Sequence, residues 1–469
     1  MSKEEYDIGM IGLGVMGRNL VLNMADHKFS VIGLDKDKDK VDALKKESGD
    51  HDVTAVQSLD EFISKLKEPR AVMMLVPAGD PVDAVINELV PVLEKGDLII
   101  DGGNSHFTDT NRRLEQLGKK GIHFIGVGIS GGEKGARFGP SMMPGGSKEL
   151  YAQVKPIFEA VAAKVEDDPC VTYLGPGSAG HYVKMVHNGI EYGLMQLISE
   201  AYDLMKKGMD MSNEELHEVF SKWNKGKLQS FLIEITADIF DKKDDKTESY
   251  LVDRILDSAH QKGTGKWTSQ DAMELQAPVP TMDIAVSMRD MSAYKEERVA
   301  ASHKLNGPFP SFEKDKQAFI DQLEDALYFA FIATYAQGLA QLKAASQAYS
   351  YHLKMNDIAR IWRGGCIIRA ALLEDIRVAF TEYPDLPNLL VSPNLINEIT
   401  EKQSAIREVV KTGIDSGIPV PGLMVSLSYY DSYRSKQLPA NLLQAQRDDF
   451  GAHTYERVDE KGTFHTEWK

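Results

Sequence analysis

The sequence predicts an α/β domain, a parallel sheet with helices on both faces, followed by a large all-α domain and a C-terminal tail. Three observations predict it. Short β-type runs alternate with helical patterns from Asp7 to about Cys170, a glycine-rich turn separates the first run from the first helical pattern, and β-type runs almost vanish after about Gly180. A chain of 469 residues exceeds the size at which one hydrophobic core stops growing, so several domains are expected. We place them at 1–179, 180–434 and 435–469, with Gly175, Pro176 and Gly177 marking the first boundary and "SKQLPANLL" the second.

The first run, "DIGMIG", leads into Gly12-Leu13-Gly14-Val15-Met16-Gly17 at the head of a helical pattern. In G-x-G-x-x-G the glycines permit a tight turn, a close approach of backbone to pyrophosphate and close helix packing, and the helix N-terminus favours negative charge. With a strand before it and a βαβ pattern after it, this stretch makes the first domain a dinucleotide-binding, Rossmann-like one. The second run, "SVIGL", ends at Asp35, 23 residues after Gly12, where an acidic side chain can accept hydrogen bonds from a ribose 2′-hydroxyl. The competing reading makes "DKDKDK" a solvated helix start capped by Asp35. "AVMMLV" is the third run, followed by an amphipathic segment from Asp80 to Leu93. "DLIIDGG" opens the loop "DGGNSH" (Asp101 to His106), and "IHFIGVG" precedes the loop "SGGEKGARFGPSMMPGG" (Ser130 to Gly146). Either these are turn-rich connections, or their amides, hydroxyls and backbone donors line the carboxyl edge of the sheet beside a nicotinamide.

The helical part opens on "YVKMVHNGIEYG", in which Lys184, Asn188 and Glu191 are four and then three residues apart and share one helix face. The bland reading is a solvated polar stripe. Against it, Tyr182, Val183, Met185, Val186, Ile190 and Tyr192 surround the stripe with apolar groups. Burial lowers a lysine pKa and makes a usable base near neutrality, while a glutamate two turns on, about 10 Å along the axis, can act on another atom of an extended substrate. A faint repeat pairs Trp223-Asn-Lys-Gly226 with Trp362-Arg-Gly-Gly365 at an offset of 139, which sets Leu323, Leu327 and Ala330 opposite the polar stripe. "QKGTGKWTS" with Lys262, "MRDMS" with Arg289, and "QAQRDDFGAHTYE" with Arg447 and His453 supply cations suited to a phosphate dianion, although each alone reads as a surface charge.

A formal charge of −16 disfavours nucleic acid or an acidic membrane surface as the main partner. Two cysteines, Cys170 and Cys366, give no disulfide framework and no metal-ligand cluster. "MSKEEYDIGMIG" lacks the basic and apolar regions of a signal peptide, and the longest apolar stretch, Ala326 to Ala336, is too short to span a bilayer, so a cytoplasmic location is expected.

Taken in order and almost from end to end, "DGGN", "SGGE", "GHYVKMVHNGIEYG", "KGTGKWT", "GGCIIR" and "LPANLLQAQRD" with "FGAHT" resemble the long, homodimeric form of the 6-phosphogluconate dehydrogenase family. The resemblance implies oxidised NAD or NADP as cofactor, 6-phospho-D-gluconate as substrate, ribulose 5-phosphate and carbon dioxide as products, and no metal. It implies Lys184 as the base at the C3 hydroxyl and later an acid, and Glu191 as the acid at C1 of the enediol. Asn104, Ser130, Gly131, Gly132, His187 and Asn188 would orient the sugar acid. Tyr192, Lys262, Arg289 and Arg447 would hold its phosphate, with Arg447 and His453 reaching in from the partner subunit's tail. Gly12 to Gly17, Asp35, Lys36, Asp37, Val76, Pro77, Ala78 and Asn104 would hold the cofactor. Asp449 departs from the family's usual aromatic residue. Asp35-Lys36-Asp37 replaces the Asn-Arg-Thr of NADP users, and Val76-Pro77-Ala78-Gly79 replaces their Val-Lys-Ala-Gly. Both changes remove positive charge near a 2′-phosphate, so NAD preference or dual use is expected. The alternatives are another β-hydroxyacid dehydrogenase of the 3-hydroxyisobutyrate type and, more remotely, a non-catalytic dinucleotide-binding scaffold.

Overall fold

Seven strands form one sheet: β1 (Ile8–Ile11), β2 (Val31–Leu34), β3 (Val53–Val56), β4 (Ala71–Met74), β5 (Leu98–Asp101), β6 (His123–Ser130) and β7 (Ser141–Pro144). They lie in the order β3-β2-β1-β4-β5-β6-β7, all parallel except β7, which runs antiparallel to β6. The computed structural model describes residues 5–308 and 312–468. Between and after the strands run α1 (Val15–Asp26), α2 (Lys38–Glu47), α3 (Leu59–Ser64), α4 (Asp80–Leu89), α5 (Phe107–Gly118), α6 (Gly132–Phe138) and α7 (Lys148–Val161). Alternate strand residues face opposite layers. Ile8, Met10, Val31 and Met73 pack with Leu20 and Val21 of α1 and Phe158 of α7, whereas Ile11, Ile32, Val72 and Met74 pack with Phe62 of α3, Val82 of α4 and Leu117 of α5.

The five expected runs are β1, β2, β4, β5 and β6. In the seven-stranded sheet and its connections, two strands and a helix lie outside that reading. β3 is a short edge strand, "VTAV", whose first two residues are only half-buried, so it lacks the apolar signature of its neighbours. The stretch from Ser130 to Gly146, read as a loop, contains α6 and β7. β7 is "SMMP", flanked by glycines and ending in proline, and what makes it a strand is pairing with β6 rather than local propensity. α4 stops at Leu89 and not at Leu93, because Pro91 has no amide for another helical turn.

Apart from two short antiparallel pairs, β8 (Lys164–Val165) with β9 (Asp168–Pro169) and β10 (Tyr455–Glu456) with β11 (Thr463–Phe464), the regular structure that follows is helical: α8 (Ala179–Asp203), α9 (Asn213–Trp223), α10 (Phe231–Asp241), α11 (Thr264–Glu274), α12 (Pro280–Ala293), α13 (Lys295–Ser302), α14 (Lys316–Ala348), α15 (Met355–Trp362), α16 (Leu372–Glu382), α17 (Ile396–Asp415), α18 (Pro421–Tyr433) and α19 (Ala440–Gly451). Among the described residues no helix is long and apolar enough to cross a membrane. α8 lies directly against β6, because glycines remove the side chains that would hold them apart. A Cβ on Gly128 would fall 2.4 Å from Lys184 Cβ, and one on Gly180 would fall 2.2 Å from the Met143 carbonyl oxygen. Its far side meets α14 as closely, since a Cβ on Gly193 would sit 2.7 Å from Thr334 Cγ2. Trp223 and Trp362 end α9 and α15 and are fully buried, as are Leu323, Leu327 and Ala330 on α14. The segments after the two tryptophans pair with each other: the Phe231 amide donates to the Arg369 carbonyl at 3.0 Å and the Ala371 amide to the Gln229 carbonyl at 2.9 Å.

The chain forms two compact units, Met1–Ser426 and Leu427–Lys469. The second is organised on one carboxylate. Asp448, fully buried on α19, accepts from the Thr454 amide (2.9 Å), His465 Nδ1 (2.9 Å), the Thr466 amide (3.0 Å) and Trp468 Nε1 (2.9 Å). Burial raises its pKa, but these four donors prevail and hold it well below the usual carboxylate range. The neighbouring Asp449, exposed, takes no part in this knot.

A second buried carboxylate makes stability pH-dependent. Glu200 of α8 accepts from the Gly422 and Leu423 amides at 2.7 and 2.9 Å at the start of α18, and from Gln196 Nε2 at 2.8 Å. Burial outweighs those bonds and pushes it from 4.5 up to about 7. The folded state therefore binds this proton more tightly than the unfolded chain. The resulting stabilisation is complete below the unfolded pKa and is lost as pH rises through the folded one. The unfolding free energy of the native protein relative to Glu200→Gln is expected to fall by about 3 kcal/mol between pH 4.5 and 8. Parallel stability curves for the two proteins over that range would refute it.

Candidate active site

At the end of β1 the chain turns through Gly12 at φ +94°, where a Cβ would lie 2.7 Å from the Leu75 carbonyl oxygen. Gly14, the N-cap of α1, faces open space, with nothing within 4 Å of a built Cβ. A Cβ on Gly17 would be 1.9 Å from the Gly12 carbonyl oxygen. One glycine thus makes the turn, one leaves room at the helix start and one closes the helix onto the strand. α1 has no side-chain cap and no acidic residue in its first turn, so its amino end, with exposed Val15 and half-buried Met16, suits a pyrophosphate.

Asp35, at the end of β2, is turned toward this loop. Its side chain is 12% exposed, Oδ2 accepts from the Leu13 amide at 2.8 Å, and Oδ1 accepts from the Asp37 amide at 2.9 Å. It is not the cap of α2: that is Asp37, which accepts from the Asp39 amide. The helix-cap reading of Asp35 is corrected accordingly, because Asp35 is drawn to the glycine loop and the helix begins one turn of chain later. The cations beside it have carboxylate partners, Lys36 with Glu88 at 2.6 Å and Lys40 with Asp35 and Asp37 at 3.7 Å. Val76, Pro77 and Ala78 follow β4 and approach the next loop so closely that a Cβ on Gly103 would lie 2.6 Å from the Val76 carbonyl oxygen.

That next loop carries Asn104, held at φ +54° with its amide committed to β6: Nδ2 donates to the Ile129 carbonyl at 3.1 Å and Oδ1 accepts from the Ile129 amide at 2.9 Å. One N–H and one lone pair remain for a ligand. β6 ends at Ser130, whose Oγ is 3.3 Å from His187 Nε2. Gly131 and Gly132 follow with φ of +124° and +61°, a conformation that favours glycine.

Opposite Ser130, α8 presents the polar stripe, with Lys184 and His187 buried and Asn188 and Glu191 half-buried. Lys184 is 5% exposed; Nζ donates to Asn188 Oδ1 at 2.6 Å and lies 3.2 Å from His187 Nδ1. His187 Nδ1 is also 3.0 Å from Asn188 Oδ1 and 4.0 Å from Glu191 Oε2, so the imidazole stands between lysine and glutamate. Burial lowers the Lys184 pKa against the opposing pull of Glu191. Burial raises the Glu191 pKa against Lys184 and Arg289. Burial, reinforced by Lys184, drives His187 well down, which keeps the imidazole neutral. The two end groups are thus moved toward a neutral amine and a neutral carboxylic acid.

Farther along α8, Tyr192 is buried beneath Arg289 of α12, whose guanidinium lies 3.3 Å over its ring. A Cβ on Gly265 would be 2.3 Å from Tyr192 Cδ2, so the "KGTG" turn abuts the same ring, with Lys262 exposed just before it. Arg447 and His453 belong to the second unit, where Arg447 Nη1 donates to Gln444 Oε1 at 3.1 Å.

The structure adds residues that sequence reasoning did not single out. Thr264 Oγ1 accepts from Asn188 Nδ2 at 2.9 Å. The Ile367 amide is 3.5 Å from Ser130 Oγ, and a Cβ on Gly131 would be 2.6 Å from the Gly365 carbonyl oxygen. Both lay within quoted motifs, "KGTGKWT" and "GGCIIR", so the signal was present without a role. His181 is fully buried, 3.1 Å from the Asp101 carbonyl oxygen and 2.7 Å from Thr110 Oγ1, and fixes the "DGGN" loop against α8. Among the described residues no group of three or more His, Cys, Asp or Glu side chains could hold a metal ion.

Comparison with known proteins places this arrangement. Residues 7–175 match the NAD binding domain of 6-phosphogluconate dehydrogenase, and residues 180–468 match the 6-phosphogluconate dehydrogenase C-terminal domain. The chain belongs to the 6-phosphogluconate dehydrogenase family. Among curated members, the Bacillus subtilis protein named 6-phosphogluconate dehydrogenase, NADP(+)-dependent, decarboxylating is 53% identical over 469 residues, covering all of both chains. The decarboxylating 6-phosphogluconate dehydrogenase of Lactococcus lactis subsp. lactis is 51% identical over 99% of each. Plasmodium falciparum 6-phosphogluconate dehydrogenase, solved alone, with NADP+ and with 6-phosphogluconate, superimposes with a TM-score of 0.95 at 45% identity, covering 98% of this chain and 100% of that one. A nucleotide-binding sheet domain followed by a large helical domain is the architecture of 6-phosphogluconate dehydrogenases, and here it brings the strand-end loops to the polar stripe of α8.

Proposed function

We propose that this protein oxidatively decarboxylates 6-phospho-D-gluconate to ribulose 5-phosphate and carbon dioxide, using a nicotinamide dinucleotide. The observation that carries the reading is the trio of buried Lys184 and His187 with half-buried Glu191, the lysine pKa lowered and the glutamate pKa raised, beside the strand ends of a dinucleotide-binding sheet. The loops at 12–17, 35–37 and 76–78 would hold the oxidised nicotinamide dinucleotide, which would supply the acceptor for the hydride leaving C3. Neutral Lys184 takes the C3 hydroxyl proton as the C–H bond breaks. The resulting ammonium then donates to the C3 oxygen as the bond to the carboxylate carbon breaks and carbon dioxide leaves, giving an enediol. Glu191 protonates the carbon that becomes C1 of the product while Lys184 removes the enediol proton, so the lysine ends charged and the glutamate ionised. Transfer of one proton from the first to the second restores the starting pair. Ser130, Gly131, Gly132, His187, Asn188 and Asn104 orient the sugar acid; Tyr192, Lys262 and Arg289 take the phosphate, with Arg447 and His453 supplied by the tail of a second copy in a homodimer. The reading needs no metal and sets the enzyme in the cytoplasm.

An assay with 6-phosphogluconate and each nicotinamide cofactor tests it: carbon dioxide and reduced cofactor are expected in equal amounts, and neither forming would overturn it. The same assay tests cofactor choice, for which we expect NAD to be preferred or poorly distinguished from NADP. Asp35 and its neighbours present carboxylates where a 2′-phosphate would sit, Lys36 and Lys40 are paired with carboxylates, and no lysine offers the planar fork of arginine. Asp35→Asn/Lys36→Arg is expected to shift the kcat/KM ratio toward NADP by at least about tenfold, or 1.4 kcal/mol. A native preference for NADP above about a hundredfold would reject the assignment of this loop.

A further inference from the structure

Arg113 of α5 is 1% exposed and has no part in the chemistry above, yet its five N–H donors are all spent, on the first turn of α4, on the loop that precedes that helix and on the loop after β5, and the proposed reading gives both loops to the two ligands. Nε and Nη2 donate to Asp83 Oδ1 and Oδ2 of α4 at 2.8 and 3.0 Å. Nη2 also donates to the carbonyl of Gly79, the residue that closes the loop at 76–79, at 3.1 Å. Nη1 donates to Ser105 Oγ at 3.0 Å and to Asp101 Oδ2 at 3.4 Å. Asp101, at the end of β5, closes the "DGGN" loop in turn, accepting from the Gly103 amide at 2.9 Å and from Ser105 Oγ at 2.6 Å. One guanidinium plane therefore ties the loop after β4 to the loop that carries Asn104. The hydrogen bonds from Arg113, reinforced by Arg112, hold Asp83 down near 2, so the clamp stays charged at any physiological pH.

We propose that Arg113 is a positioning residue that couples nucleotide binding at residues 76–79 to sugar-acid binding at Asn104. A planar, fully bonded fork cannot follow one loop without moving the other, whereas the point charge of a lysine could hold only one arm. Coupling of this kind is reciprocal: each ligand tightens the other by the same factor. The inference rests on the assignment of these two loops in the proposed function.

The experiment is a fluorescence titration of the full-length protein with NADH and with NADPH, with and without saturating 6-phosphogluconate, a combination that cannot turn over. The native protein is expected to bind the better nucleotide at least about fivefold more tightly when the sugar acid is present. In Arg113→Lys that ratio is expected to fall to within about twofold of unity, with each ligand still bound alone. Asp83→Asn and Ser105→Ala, which cut one arm each, are expected to lower it as well, and they decide the matter should Arg113→Lys not fold. A merely structural arginine would weaken both ligands and leave the ratio intact, so an unchanged ratio in the folded variants, or no coupling in the native protein, overturns the inference. Asn104→Ala separates this from the site assignment: unchanged sugar-acid affinity there would remove the loop from the site, whatever the ratio.

Discussion

Lys184→Met is expected to fold normally and to lose about 10² to 10⁴-fold in turnover, the usual contribution of a positioned general base. The stability half of that statement follows from burial. Lys184 is 5% exposed, and methionine fills a similar volume without a desolvated amine. Its removal does not orphan Asn188, because the His187 imidazole, 3.0 Å from Asn188 Oδ1, can donate to that oxygen in the Nδ1–H tautomer. The activity half follows from the shortage of substitutes. His187 is close to the lysine but is driven to a pKa too low to act as its replacement, and Glu191 is held toward its protonated form. Thermal unfolding at or above the native temperature together with lost turnover is the expected pair of results. A folded variant that keeps more than about a tenth of native turnover would remove Lys184 from the base role.

The tail gives the second large effect. A chain ending at Gln446 is expected to bind nucleotide as the full-length protein does and to bind 6-phosphogluconate about 10² to 10³-fold more weakly, the usual cost of removing one partner of a hydrogen-bonded charge pair. Among the described residues of its own unit, the side chain of Arg447 bonds to the neutral Gln444 and to no carboxylate, and α19 exposes Leu442, Leu443 and Phe450. Such a surface needs cover, and a guanidinium without a carboxylate is free to take a phosphate. Mixed dimers test where it acts. Combining Arg447→Ala subunits with Lys184→Met subunits places both defects in one site if tails are exchanged, which leaves the other site intact. Activity restored in isolated heterodimers supports exchange; none would show that each tail serves its own subunit.

Some of this was written plainly in the chain and some was not. Five of the seven strands announced themselves because buried parallel strands are almost continuously apolar. β3 and β7 did not, since β3 starts half-buried at the sheet edge and β7 lies between Pro140 and Gly145, so each is made a strand by the partner it pairs with. Spacing alone put Lys184, Asn188 and Glu191 on one face of α8. It could not show that His187, one residue off the stripe, turns its ring between them, nor that Thr264, 76 residues from Asn188, would hold the amide. Nothing in the local pattern sets Arg113 apart from the adjacent Arg112. The burial of Arg113 depends on Gly79 and Asp83 and on Asp101 and Ser105, which come from two other stretches of chain.

By itself, then, the sequence determined what local pattern can carry: the glycine turn, the alternation of strands and helices, the change to a helical architecture after Gly180, and the helical spacing of the stripe. These depend on hydrophobic period and backbone freedom, properties of a residue and its near neighbours. Tertiary structure decided what depends on distance and water. It buried Lys184 and half-buried Glu191 by laying α8 on Gly126 and Gly128 of β6, and so shifted the lysine and glutamate in opposite directions. It turned Asp35 onto the Leu13 amide and left Asp37 to cap α2, and it spent all five donors of Arg113 on residues 79–83 and 101–105. Burial and long-range hydrogen bonds set protonation and position, and neither exists until distant segments meet.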